Sequence, residues 1–142
     1  MDHVELTIPP SSPYLALVRL VVANAASLVA SLTDRRVDEL RLAVSEACAN
    51  AMDGQRASGS SLPIHVRIEL FDDSVAVTVT DHGGGFEPEA VDPIPAADDP
   101  GRLRHERGLG IPLMRSLADE VRFTPTADGT AVRLLVGTPP EA

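Results

Sequence analysis

The sequence predicts an α+β fold: a two-layer sandwich with a mostly antiparallel sheet covered on one face by helices. Three observations predict it. Two long stretches near the N-terminus carry apolar residues at helical spacing, two later pairs of stretches alternate apolar and polar residues, and one more helical stretch separates these pairs. The chain has 142 residues, the size of one domain, and no repeat or linker divides it.

The first half of the chain predicts one strand and two helices. Residues 4–8 alternate before a Pro-Ser-Ser-Pro turn, which predicts a short strand. Residues 12–30 have one apolar helical face, with Pro13 suited to the first turn. A second helix is expected from residue 34 to about residue 53, where Gly54 and the glycine- and serine-rich stretch after it end the periodicity.

The second half predicts two hairpins with a helix between them. Strands are expected at residues 64–71 and 74–80, turning at Asp72-Asp73, and at residues 121–126 and 130–136, turning at Asp128-Gly129. Helical spacing returns at residues 111–118. Residues 87–104 are rich in Pro, Asp and Ala and have no period, so we expect a lid over roughly residues 87–107.

Composition excludes several classes of function. A net charge of −9, a sequence pI near 4.7 and 3% aromatic residues disfavour binding to nucleic acid or to an anionic membrane. No apolar run reaches the roughly 18 residues of a membrane span, and the N-terminus lacks the pattern of a secretory signal. Cys48 is the only cysteine and lies on an apolar helical face. We therefore expect a cytoplasmic protein with an inert thiol.

Two polar residues lie within a small, apolar helical stretch, Ser-Glu-Ala-Cys-Ala-Asn-Ala. Glu46 and Asn50 are four residues apart, on the side of the second helix opposite its apolar stripe. They are compatible with an ordinary solvated face. The sharper alternative is a cleft, in which the carboxylate takes a proton and the amide oxygen ligates a hard cation such as Mg²⁺. Spacing alone leaves both readings open.

Two glycine clusters form a second feature. Asp-His-Gly-Gly-Gly-Phe follows a predicted strand, and Arg-Gly-Leu-Gly-Ile-Pro opens the predicted third helix. Glycine lets the main chain approach a nucleotide closely, and N–H groups at a helix start can bind phosphate oxygens. Each cluster by itself is also compatible with an ordinary turn. Neither matches the P-loop or the dinucleotide-binding fingerprint.

The order of these motifs resembles the GHKL (Bergerat-fold) ATPase superfamily. Helical Glu-x-x-x-Asn at Glu46 and Asn50 is followed by Asp-x-Gly-x-Gly at residues 81–85, then a loose segment, then Gly-x-Gly at residues 108–110. With its small size and the "ERGLGIPLMRSLADEV" segment, the chain is similar to bacterial anti-sigma-factor serine/threonine kinases over residues 4–136. The resemblance implies ATP and Mg²⁺ as cofactors. It also implies a sigma factor and a STAS-type anti-anti-sigma protein as partners, and a homodimer.

The resemblance assigns the reacting end of the site. Glu46 would be the general base for an incoming serine hydroxyl, and Asn50 would bind Mg²⁺. Arg107 would contact the phosphates and assist catalysis. The phosphates would be wrapped by Gly108, Leu109 and Gly110.

The resemblance also assigns the adenine end. Asp81 would accept a hydrogen bond from the adenine amino group, and Gly83 and Gly85 would let the base settle against the backbone. Thr130, on the last predicted hairpin, would help to hold the base through its hydroxyl.

Two departures from the family pattern leave alternative functions open. Asp53 stands where the family often has histidine, and Gln55 where it often has an aromatic residue. An acid beside a triphosphate is repelled by it, so the first alternative is a nucleotide-binding regulatory protein with little or no kinase activity. A detached ATP-binding domain serving histidine phosphorylation is the second. The sequence lacks the phosphoacceptor helical hairpin that this would need.

Overall fold

A computed structural model describes residues 2–84 and 102–137, with residues 102–109 described by their backbone alone. Within these ranges the chain forms one antiparallel sheet in the order β1-β2-β3-β5-β4. The strands are β1 (Asp2–Ile8), β2 (Ile64–Leu70), β3 (Ser74–Thr80), β4 (Glu120–Pro125) and β5 (Thr130–Gly137). Three helices accompany them: α1 (Tyr14–Ala26), α2 (Asp34–Ser58) and α3 (Arg102–Leu117).

The helices cover one face of the sheet and enclose the core. Alternate strand residues such as Val66, Val77 and Leu134 are fully buried on this face, together with Val18 of α1 and Leu40 of α2. Their neighbours in the strands, such as Arg67 and Arg133, lie on the opposite face. The predicted two-layer α+β sandwich is confirmed.

Both predicted hairpins are present with the predicted turns. In the first, Leu70 pairs with Val75 and the chain reverses at Asp72-Asp73. In the second, Pro125 pairs with Thr130 across the turn that contains Asp128 and Gly129. The second turn brings the start of β5 beside the end of β3, because β3 and β5 are adjacent in the sheet.

Helix α2 continues past its predicted end. The Thr33 hydroxyl caps its start by accepting from the Arg36 N–H at 3.2 Å, and Gly59 ends it with a φ of 75°. Gly54 is therefore inside the helix, and the predicted end near residue 53 is wrong. The reason is packing: Met52 and Gln55 continue the buried stripe through Gly54, and a single glycine costs a helix only about 1 kcal/mol.

The bounds of the other two helices also differ from the sequence prediction. Helix α1 ends at Ala26 rather than near residue 30. Helix α3 begins at Arg102, so residues 102–107 of the predicted lid are helical. Residues 87–101, the rest of the predicted lid, lie outside the described residues. Leu, Arg and Glu favour helix, which explains the early start.

This start corrects the prediction that the Gly108-x-Gly110 motif opens a helix. Gly108, Leu109 and Gly110 lie inside α3, with Pro112 also within it. A proline in a helix removes the N–H that would bond to the carbonyl four residues earlier, here that of Gly108. The motif that was predicted to wrap phosphates therefore lies in the part of α3 that lacks this hydrogen bond.

Cys48 is buried in the core, as its place in the sequence predicts. Burial raises the pKa of its thiol to about 12. A thiolate is the reactive form of cysteine, so this side chain acts in packing. Among the described residues, no helix is both long and apolar enough to cross a bilayer.

Candidate functional site

Glu46 and Asn50 lie one turn apart on α2, and both are half-buried where α3 crosses. The Gly110 backbone is packed against them. An ideal Cβ at Gly110 would lie 3.0 Å from Glu46 Oε2 and 3.2 Å from Asn50 Nδ2. The two polar side chains therefore converge on a glycine of the predicted phosphate motif and do not project into bulk solvent.

Asp81 follows the last residue of β3 and is only 7% exposed. Its Oδ1 accepts a hydrogen bond from the Gly83 N–H at 2.8 Å, and its own N–H donates to the Thr130 carbonyl at 2.9 Å. Burial raises the pKa of Asp81, and backbone N–H groups of Gly83 and Thr130 partly offset this by stabilising the carboxylate. The result is a buried acceptor held in a fixed direction.

Two glycines enclose Asp81. Gly83 packs on α2, where an ideal Cβ would lie 2.8 Å from the Gly54 carbonyl carbon and 3.0 Å from the Gln55 nitrogen. Gly129, in the β4–β5 turn, is packed so closely that a Cβ there would collide with the Asp81 carbonyl oxygen. A side chain at either position would displace the turn that carries the carboxylate.

Thr130 begins β5 and is buried, with its carbonyl bonded to Asp81 as described above. The structure thus brings together Asp81, Gly83 and Thr130, the three predicted adenine contacts that it describes. Gly85 lies outside the described residues. Arg107, Gly108 and Leu109 are described only as backbone within α3.

Helix α2 joins the two parts of the site. Glu46 and Asn50 lie at one part. Gly54, at the other part, lies about one turn beyond Asn50 and about two turns, roughly 12 Å, beyond Glu46. One part offers a carboxylate and an amide oxygen, the ligand types that Mg²⁺ prefers, and a close glycine backbone. The other offers a buried hydrogen-bond acceptor. Together the two parts are suited to a ligand that has an anionic group with a bound cation at one end and a planar group with a hydrogen-bond donor at the other.

Gln55 contributes to the site through contacts that the sequence did not predict. Its side chain is fully buried, its Nε2 donates to the Leu62 carbonyl at 2.6 Å, and its Oε1 accepts from the His82 N–H at 2.9 Å. The partly exposed side chain of His82 turns the other way, and its Nδ1 lies 2.7 Å from Asp128 Oδ2. Gln55 followed the predicted helix end, so no periodicity signalled these contacts.

This fold and this site define an ATPase domain of the histidine kinase type. The chain belongs to the histidine kinase-like ATPase domain family, whose sequence model matches residues 8–136. Its relatives include Serine-protein kinase RsbW of Bacillus subtilis, 31% identical over 125 residues that cover 85% of this chain and 77% of the relative. The same kinase of Staphylococcus epidermidis is 33% identical, covering 84% and 77%. The resemblance drawn from the motifs is confirmed.

A solved structure supports the fold independently. The structure of the RsbU and RsbW domains of a Mycobacterium tuberculosis protein superposes with a TM-score of 0.68. The match covers 98% of this chain and 33% of the solved one, at 19% sequence identity. At that identity the likeness establishes the shared architecture. Membership in an ATPase family supports ATP as the ligand of the site.

Proposed function

We propose that this chain is an ATP-dependent protein-serine/threonine kinase and anti-sigma factor, which binds a sigma factor and phosphorylates a STAS-type anti-anti-sigma protein. The relatives named serine-protein kinases support the reaction. The observation that carries the proposal is the convergence of Glu46 and Asn50 on Gly110, on the same helix that packs against the Asp81 turn. An anti-sigma factor acts where RNA polymerase is, so the proposal places the chain in the cytoplasm.

At the adenine end, Asp81 accepts a hydrogen bond from the exocyclic amino group. Its carboxylate only accepts, so it favours a base that presents a donor at this position. Gly83 carries no side chain to block the base. Thr130 supplies a buried hydroxyl beside the carboxylate. Gly85 would extend the same surface.

At the reacting end, Glu46 is the general base. The serine hydroxyl oxygen attacks the γ-phosphorus, its proton passes to the Glu46 carboxylate, and the bond from phosphorus to the β–γ bridging oxygen breaks to release ADP. Asn50 would hold Mg²⁺, which neutralises the phosphate charge when it is bound. Arg107 would add a positive charge at the phosphates.

Helix α3 must change if Gly108, Leu109 and Gly110 are to wrap the phosphates through their N–H groups, since a helix interior already uses those donors. Glycine and proline make this part of the helix the least costly to unwind. We therefore propose that nucleotide binding uncoils the first half of α3 as far as Pro112.

A binding protein with little kinase activity remains the second candidate, and Asp53 is its support. Asp53 lies one turn after Asn50 and adds a negative charge near the proposed triphosphate position. Its Oδ1 is 3.3 Å from the Arg56 guanidinium, but that arginine is largely exposed.

We also propose a homodimer through α1. Its outer side leaves Leu17 and Leu20 exposed, by 46% and 60%. The two leucines are three residues apart and share one helical face, so α1 of a second copy would cover both. Sedimentation velocity over a concentration series would detect the dimer, and a monomer at every concentration would contradict it.

The test of function is a mixing assay with γ-labelled ATP, Mg²⁺ and candidate STAS proteins. Label on a partner serine or threonine supports the kinase. Nucleotide binding without transfer supports the second candidate. Label on a partner histidine would instead support a domain serving histidine phosphorylation. If millimolar ATP with Mg²⁺ does not bind at all, the proposed site is wrong.

A further inference from the structure

Gln55 is the only described glutamine or asparagine that is fully buried, and its amide links two separate segments. Its Nε2 donates to the Leu62 carbonyl in the segment between α2 and β2. Its Oε1 accepts from the N–H of His82, the residue after Asp81. Buried side-chain amides with both ends bonded hold their partners in place, because breaking either bond leaves a polar group without water.

The His82 bond fixes the turn that carries the Asp81 carboxylate. His82 N–H points to Gln55, the Gly83 N–H points to Asp81 Oδ1, and the Gly84 N–H donates to the Asp128 carbonyl at 2.9 Å. The Gly83 bond lies within the turn, whereas the His82 and Gly84 bonds tie the turn to α2 and to the β4–β5 turn. The bond to Gln55 connects this turn to a side chain of α2.

We propose that Gln55 is a positioning residue for base recognition: it holds the His82 backbone so that the adjacent Asp81 carboxylate faces the adenine amino group. This inference rests on the proposed nucleotide site and adds a residue to it. Gln55 touches neither the proposed base nor the phosphates. It acts through the His82 N–H, and the backbone of α2 at Gly54 and Gln55 supports the same turn through Gly83.

The test compares base preference, measured as the ratio of the dissociation constants for Mg·GDP and Mg·ADP by calorimetry. Gln55→Met keeps the shape of the side chain and removes both bonds, so the preference for ADP should fall about tenfold. Gln55→Glu keeps an oxygen that accepts from His82, and in its ionised form it has no donor for the Leu62 carbonyl, while the protonated form is reached only at the cost of taking up a proton. It should therefore be less stable than the wild type and retain the preference.

The control for general destabilisation is Val22→Ala, which removes buried volume from α1 away from the turn. It should lower the melting temperature and leave the preference unchanged. The inference would be overturned if Gln55→Met kept the preference for ADP over GDP. It would also be overturned if either Val22→Ala or Gln55→Glu lost that preference. If Gln55→Met does not fold, the Gln55→Glu result decides.

A second readout needs no nucleotide. The His82 amide proton should exchange slowly with solvent in the wild type and in Gln55→Glu, and at least tenfold faster in Gln55→Met. Wild-type protein that binds no nucleotide would contradict the proposed function, while amide exchange would still report on the bond. Binding by the wild type with an unchanged preference in Gln55→Met would contradict the role of Gln55 alone.

Discussion

Glu46 and Asp81 are the two carboxylates of the proposed site, and the structure gives them different surroundings. Asp81 is buried and its Oδ1 accepts a backbone N–H. Glu46 is half-buried against the Gly110 backbone, at the part of the site where the third helix approaches. The fixed Asp81 acceptor is suited to recognising a hydrogen-bond donor on the base. The Glu46 carboxylate, where α2 and α3 approach each other, is suited to accepting a proton. The two residues should therefore fail in different ways when altered.

Glu46→Gln should bind Mg·ATP as the wild type does and transfer phosphate roughly 10²–10⁴-fold more slowly, the usual effect of losing a positioned general base. Single-turnover transfer of label to the partner protein measures this. Asp38→Asn is the control, because Asp38 lies on the same helix but is exposed and pairs with Arg41. Undiminished transfer by Glu46→Gln would remove Glu46 from the mechanism.

Asp81→Asn should weaken Mg·ADP binding by about 10- to 100-fold, since an amide can present donors to the adenine amino group where the carboxylate only accepts. Calorimetry measures the affinity. Asp72→Asn, in the exposed β2–β3 turn, should bind like the wild type. Equal affinity in Asp81→Asn and the wild type would show that Asp81 does not contact the base.

The same variant tests the raised pKa of Asp81. Because its pKa is raised above 3.8 in the folded protein, folding favours the protonated form. The stability contributed by that proton is present below the ordinary pKa and is lost as pH rises through the raised pKa. The unfolding free energy of the wild type minus that of Asp81→Asn should therefore fall as pH rises from below 3.8 through the raised pKa, which urea denaturation over a pH series measures. A constant difference would contradict the raised pKa.

At the scale of the elements, the sequence predicted more of the fold than of the site. Each strand and helix buries one side against the core, and this burial leaves an apolar period in the sequence. The period therefore predicted the position of every strand and helix that the structure describes. It could not locate the end of α2 at Ser58 or the start of α3 at Arg102. The first depends on packing between α2 and the turn that carries Asp81, and the second on the helix propensity of residues that carry no apolar period. Gln55 was missed for a related reason: its contacts join segments that are distant in sequence.

Two glycines that touch each other should respond in opposite ways to alanine. Gly54 has open space where a Cβ would lie, so Gly54→Ala should stabilise the protein by about 0.5–1 kcal/mol through helix propensity. Gly83→Ala should destabilise it, because the new Cβ would lie 2.8 Å from the Gly54 carbonyl carbon. Chemical denaturation measures both. Two changes of the same sign would contradict the packing of the turn on α2.

Pro112 offers a test of the proposed change in α3. It is exposed inside the helix, so Pro112→Ala adds the missing N–H without disturbing the core. The variant should be more stable by about 1–3 kcal/mol and bind Mg·ATP more weakly, since uncoiling the first half of α3 becomes more costly. Ser116→Ala, on the exposed side further along α3, is the control for surface changes. Unchanged affinity in a stabilised Pro112→Ala would show that α3 stays helical when nucleotide binds.

At the scale of the whole molecule, α2 connects the site to the far end of the fold. Its C-terminal half carries the proposed ligand contacts, and its N-terminal half carries Arg36, whose side chain is only 12% exposed. Arg36 donates to Asp119 Oδ1 at 2.7 Å and to the Gly137 carbonyl at 3.1 Å. The Leu117 carbonyl, at the end of α3, lies 3.4 Å from the same group. One side chain thus joins the start of α2 to the ends of α3 and β5.

This placement predicts that stability and base preference can be separated. Arg36→Met should lower the unfolding free energy by about 1–3 kcal/mol, because it leaves partly buried carbonyls without a donor. It should not alter the preference for ADP over GDP, since the Asp81 turn makes no contact with Arg36. Arg35→Met is the matched control: Arg35 is 90% exposed and pairs with Glu39 at 3.5 Å, so its loss should change stability by less than about 0.5 kcal/mol. If Arg36→Met changes the base preference of a fully folded protein, the two ends of α2 are coupled and the site is not set by local contacts alone.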